Sequence, residues 1–214
     1  MSVWSTLSID GPGLALILVL IVSLKMSYPW FAGKMGESKV QAVLSNLDGR
    51  RYTVIHDVLV ETEPGHTAQI DHVVFSVHGI FVIETKNYSG QIYGRESEPS
   101  WTQKFPRASH RFQNPIRQNQ GHIRKLAAGL GIPSTSFHSI VAFGRHATLK
   151  VDTRTPVMYI DQLPGYIRQY QAVLFSTTQI GQWSQALNQV KGTTSRAKHR
   201  EHVGRIRQRP RTRR

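Results

Sequence analysis

Cysteine is missing from all 214 residues, which rules out disulfide staples, zinc–thiolate fingers and thiol catalysis. Several other signatures are missing too. The ten histidines fall in no HExxH spacing, so a zinc hydrolase is not indicated, and they are read as surface or packing residues. There is no GxxxxGK[ST] loop to cradle phosphates and no recognisable Ser-His-Asp order, so neither a nucleotide cofactor nor a serine nucleophile is expected. Acid is scarce, with 13 Asp and Glu against 27 Lys and Arg, a formal net charge of +14. Long apolar runs are scarce as well, with one exception near the N-terminus.

What is present centres on Gln69-Ile-Asp71-His-Val-Val-Phe-Ser-Val-His-Gly79-Ile-Phe-Val-Ile-Glu84-Thr-Lys86. Ile70 to Val77 and Ile80 to Thr85 are rich in β-branched and aromatic residues, and His78-Gly79 between them reads as a tight turn. That turn pairs Val77 with Ile80, and so Asp71 with Lys86 and Val73 with Glu84. Strand alternation then gathers Asp71, Glu84 and Lys86 on one face, the two carboxylates diagonal neighbours roughly 7 Å apart at the backbone. His72 points to the other face. Acids are depleted in strands, and three ionisable groups converging on apolar strands are costly unless they are used. Two carboxylates so placed can hold one Mg²⁺ (or Mn²⁺), leaving room for waters and a substrate phosphate, while a lysine positions or activates the attacking water.

These residues resemble the nuclease-related domain (NERD) family, a branch of the PD-(D/E)XK nuclease superfamily. The resemblance covers Gly36 to Leu130. It rests on Gly36-Glu37 opening a helix, Gln69-Ile70-Asp71-His72, Gly79 through Glu84-Thr-Lys86-Asn87-Tyr88-Ser-Gly90, Trp101, and Asn114-Pro115 followed by Gln118. It implies a metal-dependent nuclease in which Asp71 and Glu84 ligate the metal and Lys86 serves the water. It adds Glu37 as a further acidic residue of the metal site, and it places Gln69 and Gln118 near substrate.

Elsewhere, Glu37 to Leu47 has the spacing of an amphipathic helix and Arg51 to Val60 that of a strand. Asn87 to Phe112 lacks periodicity and reads as a long loop rich in cations and aromatics. Its Lys104, Arg107 and Arg111 are candidates for phosphate contacts, and Trp101 for a cap on the core beneath. Asn114-Pro115 starts a helix expected to run to Leu130. Ser139 to Phe143 and Val157 to Ile160 read as strands, and Asp161 to Tyr170 and Ser176 to Val190 as helices. The result is an α/β domain, a mixed sheet flanked by helices. Its order α-β-β-β-α-β is also the restriction-endonuclease-like core that the resemblance implies.

The ends differ in character. Gly13 to Leu24 is almost wholly apolar and is followed by Lys25, Tyr28, Trp30 and Phe31, which suit a membrane interface. A transmembrane helix from Pro12 to Phe31 is expected. Asp10 before it and Lys25 and Lys34 after it place the C-terminal domain in the cytoplasm, with the anchor in a bacterial inner membrane. Arg196 to Arg214 holds nine Lys/Arg against Glu201 alone, a tail expected to be disordered and to attract nucleic acid or anionic lipid. Three segments follow: an anchor over 1–32, a nuclease-like domain over 33–191 and a basic tail over 192–214. The expected function is a membrane-anchored Mg²⁺-dependent nuclease acting on DNA more than RNA. The alternative is a module that tethers nucleic acid at the membrane without cutting it.

Overall fold

The computed structural model describes residues 37–63 and 66–190, with side chains described outside 61–67. A helix, α1 (37–44), buries Val40 and Leu44, one turn apart. The strands β1 (Tyr52–Glu63), β2 (His66–Ser76) and β3 (Gly79–Lys86) then form the expected antiparallel meander.

The stretch expected to be a long loop is instead three strands, β4 (Gly90–Arg95), β5 (Ser100–Phe105) and β6 (Ala108–Gln113). Only Ile92 and Trp101 are fully buried among them, so little apolar alternation exists to betray them, and Gly90 and Gly94 read as breakers. Trp101 lies wholly inside. There follow α2 (Pro115–Leu130), β7 (Phe137–Phe143), β8 (Ala147–Asp152), β9 (Val157–Tyr159), α3 (Leu163–Arg168) and α4 (177–190). Periodicity does not predict β8, whose inward side chains are mostly half-buried. A short 3-10 turn, Ile160–Gln162, takes the first part of the span expected as one helix before α3.

The strands form two mixed sheets, β1-β2-β3-β7-β9 and β6-β5-β4-β8. They are linked by one interrupted parallel ribbon. β3 runs beside β7 as far as Lys86↔Phe143, and the same two chain segments pair again as β4 and β8 from Gly90↔Ala147. Across the gap, Gly144 N–H donates to Lys86 O at 3.3 Å and Gly90 N–H to His146 O at 3.1 Å. Gly90 takes a φ of 79°, a left-handed turn open to glycine. The first sheet therefore ends at Lys86, two residues past Glu84.

Alternation sorts the core into layers. Val74, Phe81 and Ile83 face α1 and α3, whereas Val73, Phe75, Ile80 and Val82 face α2 and α4. Val141 and Phe143 of β7 pack with Ile92 and Trp101 of the second sheet and with Ile116 at the start of α2. That start is built by Asn114, whose Oδ1 accepts from Ile116 N–H at 2.9 Å while its Nδ2 reaches the carbonyls of Arg95, Glu96 and Glu98. The cap thus fastens α2 to the second sheet. Asn119, fully buried, fastens it to the first, its Nδ2 lying 2.8 Å from Val82 O and 2.9 Å from Ser139 Oγ. Among the described residues no helix is long and apolar enough to cross a membrane. The apolar run Gly13 to Leu24 and the tail Arg196 to Arg214 lie outside them.

Two consequences can be measured. A Cβ at Gly94 would fall inside the indole of Trp101, which Phe112 and Phe143 hold in place. Gly94→Ala is therefore expected to lower unfolding free energy by about 1–3 kcal/mol in urea melts. His72 is fully buried on the α1 face, its Nδ1 2.8 Å from His56 Nδ1, and burial lowers its pKa from 6.5 to about 3. Its neutral form adds stability above pH 6.5 that is lost as the pH falls toward 3. His72→Leu should flatten the acid limb of stability against pH, measured in chelator, whereas an unchanged slope would show that His72 does not carry it.

Candidate functional site

In β3 the first six side chains are buried and the last two half-buried. Glu84 closes the buried stretch and Lys86, two residues on, emerges on the same face. The hairpin turn falls at Val77-His78 rather than His78-Gly79, because Ser76 pairs with Gly79 and the ladder runs to His72↔Ile83. This corrects the expected register by two positions. Parity is unchanged, so the carboxylates still share a face, but Asp71 now comes opposite Glu84 instead of diagonal to it. The ladder stops there, and Asp71 Oδ2 accepts the Thr85 N–H at 2.8 Å in place of a strand carbonyl. Burial raises the Asp71 pKa, and the Thr85 bond and the charge of Lys86 oppose it.

Glu84 is the most perturbed group here. It is 2% exposed, and burial pushes its pKa up to about 7 against the pull of Lys86. Lys86 Nζ donates to Glu84 Oε1 at 2.6 Å and to Gln118 Oε1, from α2, at 3.1 Å. Glu84 Oε2 has no hydrogen-bond partner and faces His122 Nδ1 at 3.4 Å, also unbonded. Burial lowers the His122 pKa to about 4, so this is a neutral imidazole beside a carboxyl rather than an ion pair.

Of the residues expected at the site, Asp71, Glu84, Lys86 and Gln118 are brought together. Glu37, at the start of α1, is near enough for its charge to raise the Glu84 pKa. Gln69 is exposed and donates to Asp57 Oδ1 at 3.3 Å. Lys104, Arg107 and Arg111 are not gathered in. They lie exposed on β5, β6 and the turn between, with Arg111 bonded to Ser100 Oγ, and none lines the cleft beside the carboxylates. No group of three His, Asp or Glu close enough to hold a metal ion stands among the described residues. The two carboxylates do suit a hard cation that keeps most of its waters, since one buried oxygen of Glu84 lacks any partner.

The residues missed from sequence are His122 and Asp57. His122 had a signal: it lies i, i+4 from Gln118 and directly beside Ile123 on the buried face of α2. Asp57 had none. It adopts a φ of 53° in mid-strand and, with Asp71, is left out of the ladder between His56↔His72 and Val58↔Ile70. Its charge contributes to raising the Asp71 pKa.

A cleft of about 840 Å³ opens beside these groups, lined by Gln118 and His122 together with Arg117, Arg124, Lys125 and Val60. A mixed α/β domain with a carboxylate pair and a lysine at the split end of its sheet defines a nuclease-like class of site. The nuclease-related domain model matches residues 32–144, and the chain belongs to that family, a branch of the PD-(D/E)XK nuclease superfamily. An uncharacterized protein of Bacillus anthracis is 46% identical over 113 residues, 53% of each chain, so this chain spans about half of that relative's length. No solved structure matches the chain.

A left-handed aspartate inside a strand carries backbone strain that glycine would not. Asp57→Gly is expected to stabilise the fold by up to about 1 kcal/mol in denaturant titrations. A loss of stability would show that the Asp57 carboxylate contributes more than its backbone costs.

Proposed function

We propose that the protein is a metal-dependent nuclease that hydrolyses phosphodiester bonds of nucleic acid, DNA being the expected substrate. One observation carries this reading. Glu84 is buried with Oε2 unpartnered, on the face it shares with Asp71 and Lys86. Lys86 meets only Oε1, and a buried second oxygen on a carboxyl whose pKa is raised to about 7 is costly to keep unless a further cation meets it. The element order α1-β1-β2-β3, then α2-β7, supports a restriction-endonuclease-like core with three strands of the second sheet, β4 to β6, inserted between β3 and α2.

Asp71 and Glu84 would hold Mg²⁺ or Mn²⁺, with Glu37 approaching from α1. When bound, the cation would polarise the phosphate and lower the pKa of an attacking water. The chain's own groups do the rest. Thr85 N–H fixes the Asp71 carboxylate through Oδ2. Gln118 anchors the Lys86 ammonium from the far side. Lys86 thereby presents a cation where it can hold the attacking water and offset charge gathering on the phosphate oxygens. Water adds its oxygen to phosphorus, one P–O bond of the backbone breaks, and the products are a phosphate monoester end and a free hydroxyl.

The remaining expectations rest on sequence alone. The apolar run within 1–32 supports an anchor that would put this activity at a membrane surface, and the tail over 192–214 supports polyanion attraction.

The purified chain, incubated with plasmid, linear duplex and RNA, is expected to cut in Mg²⁺ or Mn²⁺ and to stop in chelator. Glu84→Gln and Lys86→Ala should each lower the rate about 10²-fold or more while circular dichroism stays unchanged. Equal activity in parent and both variants would remove these residues from the mechanism. Binding without cleavage would instead favour the tethering module.

A further inference from the structure

A basic surface beside the site is not accounted for by the carboxylates and lysine. Two cavities, of about 840 and 460 Å³, run along α2 and share Gln113, Arg117 and Arg124 as lining. The larger also contains Gln118 and His122, the partners of Lys86 and Glu84. The two therefore form one groove along α2, about 20 Å long at 1.5 Å per helical residue, that passes the candidate active site at Gln118 and His122.

Its lining is uneven in kind. It holds three cations, Arg117, Arg124 and Lys125, no acidic side chain, and a single ring, the buried imidazole of His122. Among the described residues no carboxylate pairs with any of the three. Arg117 and Arg124 are seven residues apart, two turns along the same face and about 10 Å from one another. The helix also spends two glycines here, Gly121 and Gly129, where the surroundings would admit a Cβ without a clash. Glycine weakens a helix relative to alanine, so local propensity does not explain them. What they leave is a low floor between the cations.

Resting on the nuclease reading, we propose that this α2 groove is a track for the sugar–phosphate backbone of nucleic acid, held by Arg117, Arg124 and Lys125 without readout of bases. Unpaired guanidinium and ammonium groups in a concave polar channel match a phosphodiester chain by charge and shape. The one ring, His122, is buried against Glu84 and offers bases no open face, so affinity comes from phosphates and depends little on sequence. A bilayer is a poorer match, because its headgroups lie on a broad surface whereas this groove is recessed and leads to Gln118 and His122. The track would deliver a phosphate to Lys86 from the side of α2.

The test uses the full-length chain in chelator, so that cutting is suspended, with labelled A·T-rich and G·C-rich duplexes and anionic phosphatidylserine vesicles. Arg117→Ala/Arg124→Ala is expected to weaken binding to both duplexes at least tenfold near 150 mM salt. It should reduce the slope of log K against log salt by about 2, close to 0.9 per lost phosphate contact. A second variant, Gly121→Leu, fills the floor without removing charge. It should melt at or above the parent's temperature yet bind both duplexes more weakly.

Parent-like binding by both variants would overturn the track. So would a loss confined to one duplex, or a loss of vesicle binding with duplex binding intact. Failure of the nuclease reading looks different: the parent would not cut in Mg²⁺ or Mn²⁺, yet the duplex-binding losses in both variants would remain.

Discussion

Lys86 Nζ lies 2.6 Å from Glu84 Oε1, and this contact joins a cation to a carboxylate that is 2% exposed. Moving two charges out of water costs several kcal/mol per ion, and their attraction repays it only with good geometry and further hydrogen bonds. Here the repayment is partial: Gln118 completes Lys86, but Glu84 Oε2 meets only a neutral imidazole. The arrangement therefore persists because the surrounding scaffold is rigid. Glu84 is the last of six buried residues on a central strand, with β2 on one side and β7 on the other. Asn119 pins α2 against Val82 O and Ser139 Oγ, so the helix cannot drift from the strand that carries the carboxylate.

The same rigidity separates charges of opposite sign within a short distance. Acidic groups sit where the first sheet ends, and the cations of α2 line the groove leading there. A polyanion held in the groove would come near the carboxylates where Gln118 and His122 stand, and a divalent ion there would reconcile the two. The interrupted ribbon makes this geometry possible. Had β3 and β7 continued unbroken into β4 and β8, the strand beyond Lys86 would have filled the space between α2 and the sheet. Instead the bend at Asn87 to Ser89 turns the second sheet aside, and Asn114 ties that sheet to the start of α2.

Much of this was legible in the residues. The strands β1 to β3 and the helix α2 announce themselves by period, and Asn114-Pro115 by its capping chemistry. The gathering of Asp71, Glu84 and Lys86 survived even though the predicted turn was displaced by one residue. A hairpin slide of that kind changes every pair by two and leaves each side chain on its own face. The second sheet was hidden because an almost uncovered sheet needs few apolar residues, and Lys104, Arg107 and Arg111 were consequently assigned to a loop near the site. The spacing of His122 from Gln118 puts it on the buried face of α2, but that it meets a carboxylate there depends on β3 and on nothing within the helix.

Alternation along a strand and capping at a helix start are local, so the sequence by itself determined which side chains share a face, where α2 begins, and that two acids and a lysine lie together. What lies opposite that face is not local. Gln118 and His122 are separated from Glu84 in the chain by β4, β5 and β6, and they reach it only because α2 packs across Val82 and Ile140. The tertiary structure alone decided that Glu84 loses its water, that Lys86 gains a second partner, and that the cations of α2 border the cleft. Each depends on which surfaces exclude solvent once the layers close, a property of the packed molecule and of no segment within it.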